Sequence, residues 1–408
     1  MTKLMVLGGS NCQKSAILHG KALGYEVIVA DYSKAPIAAE FADLHVDAST
    51  FDPEGCIRAA REMGIDGVMT IGTDQPVLTA ALVAEALGLS FPIDSKAAKA
   101  VTNKKIMKAL FQANGIPSVK SRLIHAHSTL ENLEELRAPV VLKPLDSQGQ
   151  RGIFLLEGKE LALRYLDRTL SFSREKEALL EEYYPSDEIT VSGWIEDSRL
   201  TILTVTDRLL LPDPVHIGIC TSHRFPSVHM DQYPEIKGIS EKIAAAFQLK
   251  NGPLYIQMLV GEAGIMVNEV AARIGGAFED VIIPKISGFD ILDAVTRLSL
   301  GLEADTAPLM DFDCSRLACT ASVQLMFASP GRIAAVTPLS EILKMEHVID
   351  AGYNYQAGDE IGMIENATAR FGHCVFFSES GPVDGAVEQF QRRLQILDEK
   401  GNNLYKVL

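Results

Sequence analysis

The sequence is short of the features that mark several protein classes. Its six cysteines, at 12, 56, 220, 314, 319 and 374, form no Cys-x-x-Cys pair and no spacing suited to zinc with histidine, so they read as reduced thiols of a cytoplasmic protein. No apolar stretch approaches the roughly 20 residues of a membrane span, and the first apolar run, at 4–7, is too short for a signal peptide. Positive charge is also scarce. With 38 Lys+Arg against 53 Asp+Glu and a net charge of −15, no general attraction to nucleic acid or to an anionic membrane is expected, and any phosphate ligand must be held by a local basic cluster. Repeats, low-complexity tracts and long linkers are missing too. What remains is globular: 408 residues, 47% hydrophobic and 22% charged, enough for two to four domains at about 100–200 residues each.

Residues 1–95 alternate apolar runs (4–7, 27–30, 68–71) with helical stretches (12–23, 54–63, 76–87), the pattern of parallel βαβ units. Gly8-Gly9-Ser10-Asn11 follows the first strand at the sheet end where ligands bind. The glycines of a Gly-x-Gly-x-x-Gly fingerprint are incomplete, which disfavours a nicotinamide dinucleotide held through Asp31. A helix at 104–113 ends at Asn114-Gly115-Ile116-Pro117. From 139 to 275 period-two strands dominate, broken by helices near 159–170 and 235–248. Helices at 278–300, short strands over 318–380 and a last helix at 383–397 complete the chain.

Lys143 closes the buried run Pro139-Val-Val-Leu, where a cation is costly unless an anion compensates it. The small-residue loop 144–152 that follows can aim backbone amides and the Ser147 hydroxyl at phosphate. Further on, the runs 255–259 and 267–276 read as a hairpin that sets Gln257 beside Glu269, with Glu269, Ala271 and Arg273 on one face. Oxygen ligands there suit Mg²⁺. An ion pair on a sheet is the plain structural alternative for Glu269 and Arg273.

With those residues in place, the chain resembles the ATP-grasp superfamily, and the resemblance implies an α/β and α+β multidomain protein. Its parts would be a Rossmann-like domain over 1–95, a nucleotide-clamping domain over 96–310 with a lid at about 118–180, and a small C-terminal α+β domain over 311–408. It implies nucleotide binding by Lys104, Lys143, Ser147, Gly149, Arg151, Glu181, Glu182, Tyr184 and Glu188, and Mg²⁺ or Mn²⁺ at Gln257 and Glu269. Arg273 and Lys143 become the expected catalytic residues, while Gly275, Gly276, Thr73 and Asp74 are expected to face substrate. A helix N-cap would explain Thr73 and Asp74 equally well.

Within the superfamily the stretches 143–152, 268–276, 358–361 and 370–373 resemble stand-alone carboxylate–amine ligases, L-amino-acid ligases and carbamoyl-phosphate-synthase large chains among them. The implied reaction consumes ATP, activates a small-molecule carboxylate as an acyl phosphate and couples it to an amine. Purine-pathway ligases or carboxylases acting on phosphoribosyl substrates are the alternative, and a nicotinamide oxidoreductase or a catalytically silent ATP-binding regulator are more distant ones. A homodimer is the base-rate assembly. His216, His223 and His229 surround Arg224-Phe225-Pro226 in an expected loop, Cys12 and Cys220 lack an activating base, and Trp194 is expected in the core.

Overall fold

The computed structural model describes residues 1–213 and 216–407. Strands Lys3–Leu7, Glu26–Asp31, Leu44–Asp47 and Gly67–Met69 form a parallel sheet in the spatial order third, second, first, fourth. Period-two alternation divides its side chains between two cores. Met5, Leu7, Ile28 and Ala30 pack with Cys56, Ala60 and Val83 of helices Pro53–Met63 and Gln75–Leu87. Leu4, Val6, Val27 and Val29 face Ile17 of helix Lys14–Ala22 and Val295 of helix Ile291–Ser299, far away in sequence. The short strand Leu44–Asp47 is not evident in the sequence because only Leu44 and Val46 are apolar and none of its four residues is fully buried.

A four-stranded antiparallel sheet joins Ser121–His125, Glu177–Glu182, Val140–Pro144 and Phe154–Leu156, in that spatial order, with helix Lys159–Leu170 on its apolar face. The largest sheet runs in the order Gly264–Ala271, Gly252–Gly261, Asp187–Glu196, Arg199–Leu210, Cys220–Phe225, Thr320–Ala328, Gly372–Ser378, Val348–Tyr353. Its middle crosses position 310: Ser222 pairs with Gln324 and Phe225 with Ala321, so the C-terminal strands extend the central sheet. Trp194 is 2% exposed and meets the Phe289 ring edge-on, in the core.

Two local outcomes differ from the periodicity. Helix Ser95–Thr102, capped by Asp94 accepting from the Ala97 amide, precedes helix Lys104–Ala113 and was not anticipated. The last helix stops at Arg393 rather than 397, because Leu394 and Ile396 are buried in alternation and Ile396–Asp398 pairs with Gly331–Val336. Among the described residues no helix is long and apolar enough to cross a membrane.

Candidate active site

Two cavities open between these layers and meet. The smaller, of about 230 Å³, lies between the four-stranded sheet and the large sheet. Val141, Leu155, Leu210 and Leu259 give it apolar walls, while Lys143, Glu181, Glu182, Tyr184 and Glu188 supply polar groups. A slot with apolar walls and a few fixed polar groups suits a flat heterocycle. The larger, of about 670 Å³, is bounded by the C-terminal ends of the parallel strands (Gly8–Gln13, Asp31, Thr73, Asp74), the loop at 147–151, and Arg208, His223, Arg273 and Arg370. Lys104, Gln150, Arg208, Gln257 and Glu269 border both cavities.

Lys104 is set by its local sequence. The Asn103 side chain accepts from the Lys105 and Ile106 amides and starts the helix, and the Lys104 amide donates to the Leu145 carbonyl. Its ammonium lies 2.7 Å from Glu269 Oε1. Burial opposes that charge, but Glu269 outweighs it and holds the Lys104 pKa above its ordinary value; Glu269 is lowered in return, against its own desolvation, by Lys104, Lys143 and Arg273.

A second ionic group lies behind Lys143. Its ammonium contacts Glu181 Oε2 at 2.5 Å and donates to Asn268 Oδ1 at 2.8 Å, while Lys108 reaches Glu181 Oε1 at 2.6 Å. The Glu181 side chain is 2% exposed. Desolvation would raise its pKa, yet the two lysines hold it down to about 2, whereas burial pushes Lys108 below its ordinary value. The sequence presents Lys105 and Lys108 alike as solvated neighbours of Lys104. Only Lys105 is exposed; Lys108 is one helical turn from Lys104 and shares its inward face. Glu181, expected at the adenine edge, thus spends both carboxylate oxygens on lysines.

The other expected nucleotide contacts are distributed unevenly. Glu182 pairs with Arg137 at 3.1 Å, and the Tyr184 hydroxyl bridges the Ala263 amide and the Gly264 carbonyl. Glu188 is ion-paired with Arg208, whose Nη2 also donates to the Gly218 carbonyl at 2.6 Å. Ser147, Gly149 and Arg151 line the larger cavity, on the side of the junction away from the slot. The cause is the position of the loop: Gln148 Oε1 accepts from the Gln75 amide, and the Gly149 carbonyl accepts from Ala367.

Gln257 and Glu269 are register partners on adjacent antiparallel strands. They present a carboxamide and a carboxylate at the junction of the cavities, where the Lys104 ammonium already shows that a cation is accommodated. Among the described residues no group of three or more His, Cys, Asp or Glu could hold a metal ion. Mg²⁺ needs no such group, since it is usually bound through one or two carboxylates plus phosphates and water.

On the far side Arg273, 7% exposed, lies over the Tyr255 ring at 4.6 Å and is bonded to Asp74 Oδ1 through Nε at 2.9 Å and Nη2 at 2.5 Å. Asp74 sits at the N-cap of its helix but its side chain makes no capping bond, so the capping alternative fails and the carboxylate serves Arg273. Thr73 Oγ1 accepts from Gln13 Nε2. Gly276 lines the larger cavity and Gly275 does not, and both positions are crowded. A Cβ at 276 would lie 2.5 Å from the Gly72 carbonyl oxygen, and one at 275 would lie 2.2 Å from the Glu279 carboxyl, so both glycines permit close packing.

The histidines do not form a loop cluster. His223 belongs to strand Cys220–Phe225, bonded through Nδ1 to Thr206 Oγ1 at 3.1 Å; His216 lies by Asp213, and His229 by Asp187. Burial, with Arg208 and Arg370 adding repulsion, pushes the His223 pKa down to about 3, so its imidazole is neutral near pH 7. Asp31 accepts from the Gly9 and Ser33 amides. Nothing in the sequence marks Arg208 or Lys108 for a role, while Arg370 opens the stretch 370–373.

The L-amino acid ligase C-terminal domain 2 family matches residues 323–395. Dapdiamide A synthase of Enterobacter agglomerans is 23% identical over 307 residues, 71% of this chain and 69% of that protein. Among solved structures, an L-amino acid ligase from Bacillus licheniformis superposes with a TM-score of 0.81 at 18% identity, covering 98% of this chain and 99% of that one. Phosphoribosylglycinamide synthetase from Anaerococcus prevotii superposes with a TM-score of 0.75 at 16% identity, covering 98% and 100%. The chain spans much less of the carbamoyl phosphate synthase large chain of Micrococcus luteus, 19% of its length. The chain thus shares the ATP-grasp fold of these solved structures and is similar in sequence to L-amino acid ligases and to dapdiamide A synthase.

Proposed function

We propose that the chain is an ATP-dependent carboxylate–amine ligase that works through an acyl phosphate and releases ADP and phosphate. The observation that carries this reading is the meeting of the two cavities at Lys104, Gln257 and Glu269, with Lys143 on one side and Arg273 on the other. A heterocycle in the slot would direct its phosphates to that junction. A carboxylate in the larger cavity would meet them there.

In this reading Lys143 and Lys104 neutralise phosphate oxygens, and Arg208 anchors Glu188 for the ribose hydroxyls. Gln257 and Glu269 would hold Mg²⁺ or Mn²⁺, which when bound supplies charge neutralisation to the triphosphate. A carboxylate oxygen attacks the γ-phosphorus and ADP leaves. The amine then attacks the acyl carbon, phosphate departs with the bonding pair, and the amine's surplus proton passes to phosphate or water. Arg273, held in place by Asp74 and Tyr255, is the multi-donor group for the acyl phosphate and for the oxyanion formed from it. The loop at 147–151 excludes water, which would otherwise hydrolyse the intermediate.

The phosphoribosyl alternative needs the same slot and junction; the match of residues 323–395 to an L-amino acid ligase domain favours the first reading. ADP release with Mg·ATP, measured over carboxylates crossed with amines and with hydroxylamine as a trap, tests it. A carboxylate-dependent hydroxamate is expected. ATP binding without turnover for any acid would favour the silent regulator, and binding of a nicotinamide dinucleotide in place of ATP the oxidoreductase.

A further inference from the structure

The larger cavity holds more positive charge than the reaction just described uses. Its cations are mostly compensated: Lys104 by Glu269, Arg273 by Asp74, Arg208 by Glu188. Arg151 and Arg370 form no ion pair among the described residues, and Arg370 feels the Glu279 carboxylate only from beyond ion-pair distance. Each also has a buried Nε–H with no hydrogen-bond partner. Arg370 Nη1 donates to the Gly276 carbonyl at 3.2 Å, which pins the guanidinium at the cavity wall and leaves its Nε side unsatisfied. Asp31, which lines the same cavity from the parallel-sheet side, is committed to two backbone amides.

The segments that carry the two arginines are bonded to each other. The Ala367 amide donates to the Gly149 carbonyl at 3.1 Å, and the space beyond Gly149 Cα is bounded by the Thr368 methyl group. Two guanidinium groups that line one cavity without a carboxylate in ion-pair contact suit an oxyanion, which the planar fork binds well. We infer that Arg151 and Arg370 form a second anion subsite, built between the loop at 147–151 and the segment at 366–370, for a carboxylate or phosphate group that is neither the carboxylate being activated nor a phosphate of the nucleotide. This deepens the ligase reading and rests on it: one of the two substrates carries an additional oxyanion. It also separates Arg151 from the nucleotide.

The test uses the full chain saturated with Mg²⁺ and a non-hydrolysable ATP analogue, titrated calorimetrically with inorganic phosphate and, separately, with malonate. Saturable binding of at least one probe is expected, weakened about tenfold or more by Arg370→Gln and by Arg151→Gln, each alone. Affinity for the analogue should stay within about twofold in both variants. Preference for phosphate would mark a phosphate ester as the substrate group, and preference for malonate a carboxylate. Arg370→Lys, which keeps the charge and loses the fork, should bind the probes between wild type and Arg370→Gln, and it covers the case in which the glutamine variant fails to fold. Loss of analogue affinity in Arg151→Gln, or no probe binding by the wild type, overturns the inference. Failure of the ligase reading would show differently, as probe binding intact with no ADP formed from any carboxylate.

Discussion

Glu181→Gln is the most revealing single change, because one buried carboxylate serves as counter-ion to two lysines. At neutral pH, keeping that carboxyl near 2 when its ordinary value is 4.5 corresponds to about 3 kcal/mol of stabilisation. Removing one partner of a buried ionic group costs about 3–5 kcal/mol, the same order. The variant should therefore lose about 3 kcal/mol at pH 7, a fall of roughly 6–12 °C in melting temperature if the surrounding 150–250 residues unfold as a unit. The lowered carboxyl pKa stabilises the fold above about 4.5, and that contribution fades as pH falls towards 2, so the gap between wild type and variant should close in acid. Nucleotide should recover part of the loss, because its phosphates supply Lys143 with the anion that the variant's carboxamide no longer provides. Differential scanning fluorimetry from pH 3 to 8, with and without Mg·ATP, reads all three effects. Equal melting temperatures for the two proteins at pH 7 would refute the assignment of Glu181 as the counter-ion of both lysines.

Other changes separate the parts of the site. Lys143→Ala should weaken ATP binding about tenfold or more, seen in calorimetry, since it removes a charge-assisted contact to phosphate. Asp74→Asn should release Arg273 and lower kcat about 10- to 100-fold while ATP affinity stays unchanged in equilibrium binding, because Asp74 borders the larger cavity and not the slot. Gly276→Ala should destabilise the protein by about 1–3 kcal/mol in chemical denaturation, as the added methyl would sit 2.5 Å from the Gly72 carbonyl oxygen.

How much of this was legible in the sequence depended on locality. The parallel unit at 1–95 was readable because each buried run is apolar on both faces, which pairing between two helical layers requires. Lys104, Lys143, Gln257 and Glu269 stood out by type, spacing and order, and Gln257 and Glu269 are indeed register partners. Three things depended on tertiary contacts. The burial of Lys108 requires Glu181, far along the chain on another element, to turn inward. Arg208 gains meaning only when its strand lies antiparallel to that of Glu188. The boundary near 310 is crossed by pairing of Cys220–Phe225 with Thr320–Ala328, a non-local ladder that no period reveals. Glycine pairs were the opposite case: Gly275-Gly276 invited a ligand reading, and the Gly72 carbonyl and the Glu279 carboxyl give the packing reason for both.

The central claim is that a substrate carboxylate takes the γ-phosphoryl group before the amine arrives. Supplying the substrate acid with ¹⁸O in both carboxylate oxygens and analysing the inorganic phosphate by mass spectrometry tests it most directly. The account predicts one ¹⁸O in each phosphate released, because the oxygen that attacks phosphorus leaves with it. Phosphate free of the label, formed while ADP accumulates and the acid is consumed, would contradict it.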